Sequence, residues 1–323
     1  MNKFALITVL ALFAILACTA CKAADTDSAF DKLSSSVIEG LTAGSYPKVD
    51  GSTSTEPLNA IIACKLFGIA YKWTGASDGT RYVEPNLNKN DTSKFLKLFK
   101  SSQTHQSFIN LIDRKADLIL VARKMSPDEK AYADAAGVSL IETPVALDAF
   151  IFIVNHNNPI QSLTIKQVQD IYTGAITNWN EVGGNDAEIK PYVRNANSGS
   201  QELMETLVMK DLEMIAFPEN SAELLFSMAG ALDAVSHDVH SICYTVYYYK
   251  EHIAYMYHPK SLAINEIYPD RNTISDQSYP YVAEVYAVIR SDLDESSMAY
   301  KLYEWLQTEA GKQVISESGY LPN

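Results

Sequence analysis

The segment that decides the fold is VDGSTSTEPLNAIIACKLFGIAY, from Val49 to Tyr71. It predicts a short strand, a hydroxyl-rich turn and a helix, because Ser54 or Thr55 can cap a helix whose first turn contains Pro57. The apolar residues of this helix recur at i, i+3, i+4 and i+8, the spacing of one helical face: Leu58, Ile61, Ile62 and Leu66. Such a turn offers free backbone N–H groups at the positive end of a helix, which favours anion binding. For the segment taken alone, a solvated Ser/Thr loop is the simpler alternative.

The composition is that of an ordinary globular protein, large enough for two domains. The chain has 323 residues, of which 47% are hydrophobic and 20% are charged. Its formal net charge of −13 argues against a nucleic-acid-binding surface, which requires a basic stripe. An anion site in this chain therefore has to be created by local donors, against the overall negative field.

Residues 1–17 have the pattern of a signal peptide. Lys3 precedes an uncharged apolar run, Phe4 to Ala17, that is too short to span a bilayer comfortably. The run leads through aliphatic residues into Cys18 and resembles bacterial lipoprotein signals, in which a cysteine is lipidated after cleavage. Cys21 fits this pattern less well. We therefore expect an extracytoplasmic protein held to the membrane only by a lipid on Cys18, with residues 18–45 as a tether.

Two further cysteines, Cys64 and Cys243, lie in the body of the chain. Cys64 is near the apolar face of the first helix, and Cys243 is in an apolar, tyrosine-rich segment. Two buried free thiols are the simplest interpretation. Export to an oxidising compartment leaves a disulfide open as the alternative, since residues so far apart in sequence do not determine their own distance.

Strand and helix patterns alternate along the rest of the chain and predict an α/β fold with largely parallel sheets in two lobes. Ser126 with Pro127 and Thr164 are predicted helix starts, and Gly174 is a predicted helix end. The apolar run 116–122 has the length of a strand buried on both faces. Further strands are predicted for 242–249, 253–257 and 281–290.

Three helix starts are rich in hydroxyl groups: Thr53-Ser54, Ser102 with Thr104, and Ser198-Gly199-Ser200. In α/β lobes, ligands bind beyond the carboxyl ends of the strands, where helices begin. Each helix start carries roughly half a positive charge. Three of them aimed at one point, with Arg194 just ahead of the third, would hold an oxyanion without a metal.

Several motifs together resemble the phosphate-binding proteins of ABC importers: Asp50-Gly-Ser-Thr-Ser-Thr-Glu-Pro, the stretch from Leu163 to Gly184 containing TGAITNW, Arg194 with Ser198-Gly-Ser, and Gly319-Tyr-Leu-Pro. The resemblance runs from about Tyr46 to the C-terminus. It implies the type II two-lobed periplasmic-binding-protein fold with two hinge crossings, near Pro144–Asp148 and Ser278–Val282. The lobes would then be 46–145 with 280–323, and 146–279. It also implies a monomer that binds inorganic phosphate and delivers it to ABC permease subunits.

Carried over position by position, the family's phosphate ligands become Thr53, Ser54, Thr104, Arg194, Ser198, Gly199 and Ser200. Many of these proteins have an aspartate where this chain has Ala122, followed here by Arg123. The substitution removes one means of rejecting fully ionised oxyanions such as sulfate. Arg123 either enters the site as a second cation or forms an ion pair outside it.

Other functions stay open at this level. Another oxyanion, such as sulfate, molybdate or tungstate, could be the ligand, and a sensor or adhesion module could retain the fold without transport. An enzyme is disfavoured because the sequence has no GxSxG, HExxH or P-loop lysine motif. The sequence predicts no catalytic residue, no metal site, no cofactor and no nucleic-acid partner.

Overall fold

The structure of the protein is a computed structural model that describes residues 29–218 and 221–323. The predicted signal peptide and both candidate lipidation sites, Cys18 and Cys21, lie outside these residues. Among the residues described, no helix is long and apolar enough to cross a membrane.

Helices and strands alternate through most of the described chain. The helices are α1 Glu56–Leu66, α2 Lys89–Phe95, α3 Thr104–Ile112, α4 Pro127–Ala136, α5 Ile165–Thr173, α6 Gly199–Leu203, α7 Met228–His237, α8 Arg271–Ser275, α9 Met298–Leu306 and α10 Glu309–Glu317. The strands are β1 Val49–Gly51, β2 Tyr71–Gly75, β3 Arg81–Pro85, β4 Leu118–Val121, β5 Leu140–Val154, β6 Ser162–Leu163, β7 Lys190–Pro191, β8 Val193–Arg194, β9 Leu224–Leu225, β10 Ser241–Val246, β11 Lys260–Ser261, β12 Ala263–Ile264, β13 Val282–Arg290 and β14 Leu321–Pro322.

The longest strand, β5, connects two halves of the central sheet, whose order is β1-β4-β13-β5-β10-β7. Residues 140–149 of β5 pair with β13, and residues 150–154 pair with β10. We call the half containing β1, β4 and β13 the first lobe, and the half containing β10 and β7 the second lobe. The chain crosses between the lobes within β5 and again just before β13, where Phe150 N–H donates to the Tyr281 carbonyl over 2.9 Å. The predicted two-lobed α/β fold is therefore confirmed, while the lobe limits given by residue number stay a prediction.

The expectation of largely parallel sheets was wrong for the central sheet. Among its described strands only the outer pairs, β1 with β4 and β10 with β7, are parallel. The small sheets β6–β12 and β8–β9 are also parallel. The neighbours β4 and β13, β13 and β5, and β5 and β10 are all antiparallel. The physical reason is the double crossing: β5 and β13 carry the chain between lobes in opposite directions, so they pair side by side as antiparallel strands.

The capping signals of α4 and α5 were confirmed, but the side-chain cap expected from Ser54 or Thr55 at α1 was wrong. Thr55 is the N-cap residue of α1, yet its side chain makes no capping hydrogen bond, because Thr55 Oγ1 donates to the Leu120 carbonyl instead. Ser126 accepts a hydrogen bond from Glu129 N–H in a capping box at the start of α4. Thr164 does the same for Gln167 N–H at the start of α5, and Gly174 ends that helix with a left-handed φ of 79°.

One strand prediction, for residues 253–257, was wrong. The chain leaves β10 and forms a π-helical turn over Tyr249–Ile253, followed by irregular structure. Aromatic content suggested a strand, but these residues pack across the two lobes instead of joining a sheet ladder.

Part of the expected tether is packed against the first lobe. Phe30 and Leu41 are buried, and the Phe30 ring meets the Phe95 ring edge-on at 6.5 Å. Short helical turns at Ala29–Lys32 and Ala43–Ser45 contain or flank these residues. Residues 29–45 therefore contribute to the core, because their few apolar side chains are buried against the first lobe.

Cys64 and Cys243 are both buried and free. Burial raises the pKa of each thiol to about 12. The simplest interpretation of these cysteines is confirmed, and they are poor nucleophiles at neutral pH.

Candidate functional site

A cleft of about 570 Å³ lies between the lobes, and the three hydroxyl-rich turns line it together. Its walls include all seven residues predicted as ligands: Thr53, Ser54, Thr104, Arg194, Ser198, Gly199 and Ser200. The turns reach the cleft from the ends of β1 and β8 and from the N-terminus of α3. The first N–H groups of a helix have no partner within the helix, so these turns supply backbone donors as well as hydroxyl groups.

The first turn, Thr53–Thr55, is fastened from two sides. Thr55 Oγ1 donates to the Leu120 carbonyl over 2.6 Å, which ties the turn to β4. Tyr320 Oη donates to the Ser54 carbonyl over 3.0 Å. The C-terminal Gly-Tyr-Leu-Pro motif thus acts on the site by holding the turn that bears Ser54.

The second turn is organised by a buried carboxylate, Asp50. It accepts hydrogen bonds from Ser102 N–H at 2.9 Å and from Asn110 Nδ2 at 2.7 Å, fixing the chain ahead of α3. Gln103 has a φ of 68°, so the chain turns sharply before Thr104. The chain ahead of Thr104 therefore leads directly into a helix N-terminus.

The hydroxyl of Thr104 is oriented by Ser52. The two Oγ atoms are 2.8 Å apart, and Ser52 Oγ also accepts a hydrogen bond from Ala122 N–H at 3.1 Å. Ser52 is 2% exposed and brings the first and second turns together. The sequence analysis did not single it out, although it lies in the opening motif.

The third turn touches the second where the lobes meet. Ser198 Oγ accepts from Gln201 N–H at 3.2 Å and caps α6. A Cβ on Gly199 would lie 2.5 Å from Thr104 Oγ1 and 3.4 Å from Thr104 Cβ. The lobes are thus closed upon each other, and glycine is what permits this approach.

Arg194 is a buried cation with no carboxylate partner in the part of the chain that the structure describes. It is 6% exposed, and its Nε donates to the Leu225 carbonyl at 3.0 Å. Its backbone N–H is held by Tyr244 Oη at 3.0 Å and by Gln201 Oε1 at 3.2 Å. Burial lowers the pKa of the guanidinium from its ordinary value. A desolvated cation of this kind requires a counter-anion, and the cleft is where one fits.

The PBP superfamily domain matches residues 24–310, most of the chain. This chain belongs to the PBP superfamily. Two curated relatives are the phosphate-binding protein PstS of Borreliella burgdorferi, 28% identical over 185 residues, and protein SphX of Synechococcus elongatus, 25% identical over 167 residues. The matches cover 56% and 46% of this chain but only 65% and 49% of the relatives.

Solved structures share the PBP fold of this chain. A putative phosphate ABC transporter substrate-binding protein with bound phosphate from Clostridium perfringens superposes with a TM-score of 0.62 at 21% identity. An ABC-type phosphate transport receptor from Vibrio cholerae gives a TM-score of 0.60 at 20% identity. Each alignment covers 86% of this chain and 99% of the other. At 20–21% sequence identity, the structural similarity establishes the fold alone.

Arg123 does not line the cleft of this PBP domain. Both of its terminal nitrogens bond the Glu129 carboxylate, at 2.7 and 2.8 Å, and both side chains are buried. Its guanidinium also lies over the Phe108 ring, 5.6 Å from the centroid. Arg123 Nη2 also donates to the carbonyl of Asn197, a residue of the cleft wall, at 3.3 Å. The ion pair with Glu129 favours the second of the two roles considered, because the charge of Arg123 already has a buried partner.

Several lining residues carry no signal in the sequence. Asp78, from the tip of the β2–β3 hairpin, is the single acidic residue among those that line the cleft, and Tyr249 enters it from the turn after β10. Both come from segments whose position depends on the packing of one lobe against the other, so no local pattern could reveal them.

His105 also lines the cleft, although the sequence analysis did not single out any histidine. Its Nδ1 lies 3.0 Å from Glu129 Oε1. In the described part of the chain, no hydroxyl of the cleft is hydrogen-bonded to His105. The chemistry favoured by the cleft is the binding of a small anion by convergent donors.

Proposed function

We propose that this PBP-superfamily protein captures inorganic phosphate between its two lobes and delivers it to an ABC permease. The observation that carries the proposal is Arg194, a buried guanidinium without a carboxylate partner in the described residues, facing three turns of free donors. The relatives named for phosphate binding and transport support the choice of ligand.

The proposed ligands are the seven residues that resemblance pointed to and that line one cleft. Thr53, Ser54 and Thr104 bind from the first lobe, and Arg194 with the Ser198–Ser200 turn binds from the second. Hydrogen bonds to a charged group contribute about 1.5–3 kcal/mol each. A few of them give micromolar affinity, which corresponds to about −8 kcal/mol. Because each lobe supplies part of the cage, phosphate stabilises the closed arrangement.

Isothermal titration with phosphate, sulfate and molybdate tests this proposal. We expect binding of phosphate by the parent chain and its loss in Arg194→Met, a substitution that removes the charge but keeps an apolar stem in the pocket. Because Arg194 is an uncompensated buried charge, the ligand-free melting temperature of the variant should not fall far. Undiminished phosphate binding by Arg194→Met would overturn the assignment.

A different oxyanion is the second candidate, and the alanine at position 122 is the observation that favours it. Ala122 lies on the cleft wall and offers no acceptor to a protonated oxygen. A fully ionised anion such as sulfate or molybdate then meets no opposing carboxylate at this point. Tighter binding of molybdate or sulfate than of phosphate in the same titrations would establish this alternative.

Extracytoplasmic anchoring through a lipid on Cys18 belongs to the same proposal. Its support is the apolar leader that ends at this cysteine. We expect Cys18→Ser to abolish incorporation of labelled palmitate in a bacterial host, whereas Cys21→Ser retains it. The opposite result would move the anchor to Cys21.

A further inference from the structure

The π-helical turn Tyr249–Ile253 brings a tyrosine side chain into the cleft from the second lobe. Tyr249 is 3% exposed, yet its hydroxyl has no hydrogen-bond partner in the described part of the chain and lies on the cleft wall. The side chain is buried along its length, while the hydroxyl at its tip keeps accessible surface. Tyr249 lines the cleft, so a ligand there can accept a hydrogen bond from this hydroxyl.

Two charged residues of the cleft act on the Tyr249 phenol. Burial, followed by the charge of Asp78, raises the pKa of the phenol, and the charge of Arg194 opposes this. Both of these charged residues line the same cleft. The phenol therefore stays protonated at neutral pH and is available as a hydrogen-bond donor between the cation and the acid.

The position of Tyr249 is fixed by the β2–β3 hairpin of the first lobe. The hairpin tip docks on the residues that follow the turn: Met256 N–H donates to the Gly79 carbonyl at 3.2 Å. Tyr257 Oη donates to the Asp78 carbonyl at 2.7 Å, and Arg81 Nε donates to the His252 carbonyl. These contacts hold the end of the turn and the residues just after it, which limits the movement of Tyr249 before any ligand arrives.

We propose that Tyr249 is a further anion-binding residue, whose hydroxyl donates to an oxygen of the bound oxyanion beside Arg194. The inference rests on the proposed function, because it assigns an additional ligand to the same site. Tyr249 adds a hydrogen-bond donor from the turn after β10, which is separate from the three helix starts.

The test compares Tyr249→Phe with the parent in a phosphate titration. We expect affinity to fall about ten-fold or more, since a hydrogen bond to a charged ligand is lost. The matched control is Tyr281→Phe, which removes a buried hydroxyl that has no partner in the described residues and does not line the cleft. This control should bind phosphate like the parent. Equal affinity in Tyr249→Phe and the parent would overturn the inference.

An ultraviolet difference spectrum keeps the inference testable if Tyr249→Phe folds poorly. Phosphate should perturb tyrosine absorbance in the parent and in Tyr281→Phe, and the perturbation should be absent or much smaller in Tyr249→Phe. A parent chain that binds phosphate without any tyrosine signal contradicts the role of Tyr249. A parent chain that binds none of the three oxyanions contradicts the proposed function itself, so the two failures are distinguishable.

Discussion

Asp148 is a buried carboxyl at the point where β5 passes from one lobe to the other. One oxygen accepts from Tyr248 N–H at 2.9 Å and from Ala149 N–H at 2.8 Å. The other oxygen is buried without a partner in the described residues. Burial raises the pKa of Asp148 to about 7, against the opposing effect of the two backbone bonds. The hinge therefore contains a group that titrates near neutrality.

Asp148 should make the protein less stable as the pH rises. Between about pH 4 and pH 7 the unfolded chain releases this proton while the folded chain keeps it, so the free energy of unfolding falls through this window and levels off above it. Each pKa unit corresponds to about 1.4 kcal/mol. In Asp148→Asn this contribution is absent, and the variant should gain stability relative to the parent as the pH rises from 5 to 8.

Urea denaturation at pH 5 and pH 8 measures this difference. Asp211→Asn, at an exposed position, is the control and should follow the parent at both pH values. If Asp148→Asn and the parent show the same change in unfolding free energy between the two pH values, the pKa of Asp148 is not raised in the folded protein.

The sequence predicted individual cleft-lining residues where the signal was chemical and local. Thr53, Ser54 and Ser200 were singled out as hydroxyl-bearing residues at helix starts, and they line one cleft. Tyr249 could not be found in this way, because a tyrosine in an aromatic run is equally compatible with a core strand. Its placement depends on a hairpin more than 160 residues earlier in the chain, as the 171-residue separation of Arg81 and His252 illustrates.

At the scale of elements, an ion pair joins the end of β4 to the start of α4. Arg123 and Glu129 are 5% and 0% exposed at their side chains. Glu129 also accepts from Ser126 N–H at 2.8 Å, so the same carboxylate closes the capping box of α4. Removal of the arginine would leave this carboxylate buried and without its main counter-charge.

Arg123→Met should therefore destabilise the protein by about 3–5 kcal/mol, the usual cost of leaving one member of a buried pair uncompensated. Chemical denaturation measures the loss. Arg114→Met is the matched control, because it breaks the Arg114–Asp292 pair, in which both side chains are more than half exposed. That change should cost at most about 1 kcal/mol.

The double variant Arg123→Met/Glu129→Met separates a structural role from ligand binding. With both charges gone it should recover much of the lost stability, since apolar replacement of a whole buried pair is often neutral. It should also bind phosphate like the parent, because Arg123 does not line the cleft. Loss of phosphate binding in a folded double variant would indicate that Arg123 is a second cation of the phosphate site.

The start of α6 carries a second prediction at this scale, at Gly199. An alanine there would place its Cβ 2.5 Å from Thr104 Oγ1. Thr104 cannot simply rotate away, because its hydroxyl is bonded to Ser52. The backbone of Gly199 is not in the left-handed region, so alanine fits its own turn, and the clash arises only between the closed lobes.

We expect Gly199→Ala to weaken phosphate binding about ten-fold or more while its ligand-free melting temperature matches that of the parent. Calorimetric titration and thermal unfolding measure the two quantities. Gly44→Ala is the control, because its Cβ would approach nothing nearer than Thr42 Oγ1 at 3.9 Å. Parental affinity in Gly199→Ala would show that ligand binding does not need this approach of the two turns.

Helix limits were predictable and strand partners were not. Ser126, Thr164 and Gly174 act within one turn of their own helix, so the sequence contains the whole interaction. The direction in which β13 pairs with β5 depends on a crossing between lobes. Apolar content at 281–290 predicts a strand there but not an antiparallel neighbour.

At the scale of the whole molecule, the proposed function depends on two lobes that meet around a small ligand. The first lobe holds two of the turns and the second holds Arg194 with the third, so an open protein has only part of the cage. The ligand makes more contacts with the closed protein than with the open protein, so binding shifts the equilibrium towards closure. The contact between Thr104 and Gly199 is the point at which closure can be controlled.

A disulfide across this contact should lock the protein shut. A Cβ at position 199 would lie 3.4 Å from that of Thr104, close to the 3.5–4.5 Å usual between bridged cysteines. Both positions carry proposed ligands, so the reduced double variant should bind phosphate more weakly than the parent. In a chain with Cys18 and Cys21 replaced by Ser, we expect Thr104→Cys/Gly199→Cys oxidised in saturating phosphate to release labelled phosphate more slowly during gel filtration than its reduced form does. When oxidised without phosphate it should take up none until a reductant is added.

Cys64 and Cys243 do not compete, because both thiols are buried with a pKa of about 12. The reduced double variant and Gly199→Cys alone are the controls. Equally fast phosphate exchange in the oxidised and reduced forms would mean that the ligand does not depend on closure of these lobes, and the cleft would have to be assigned another role.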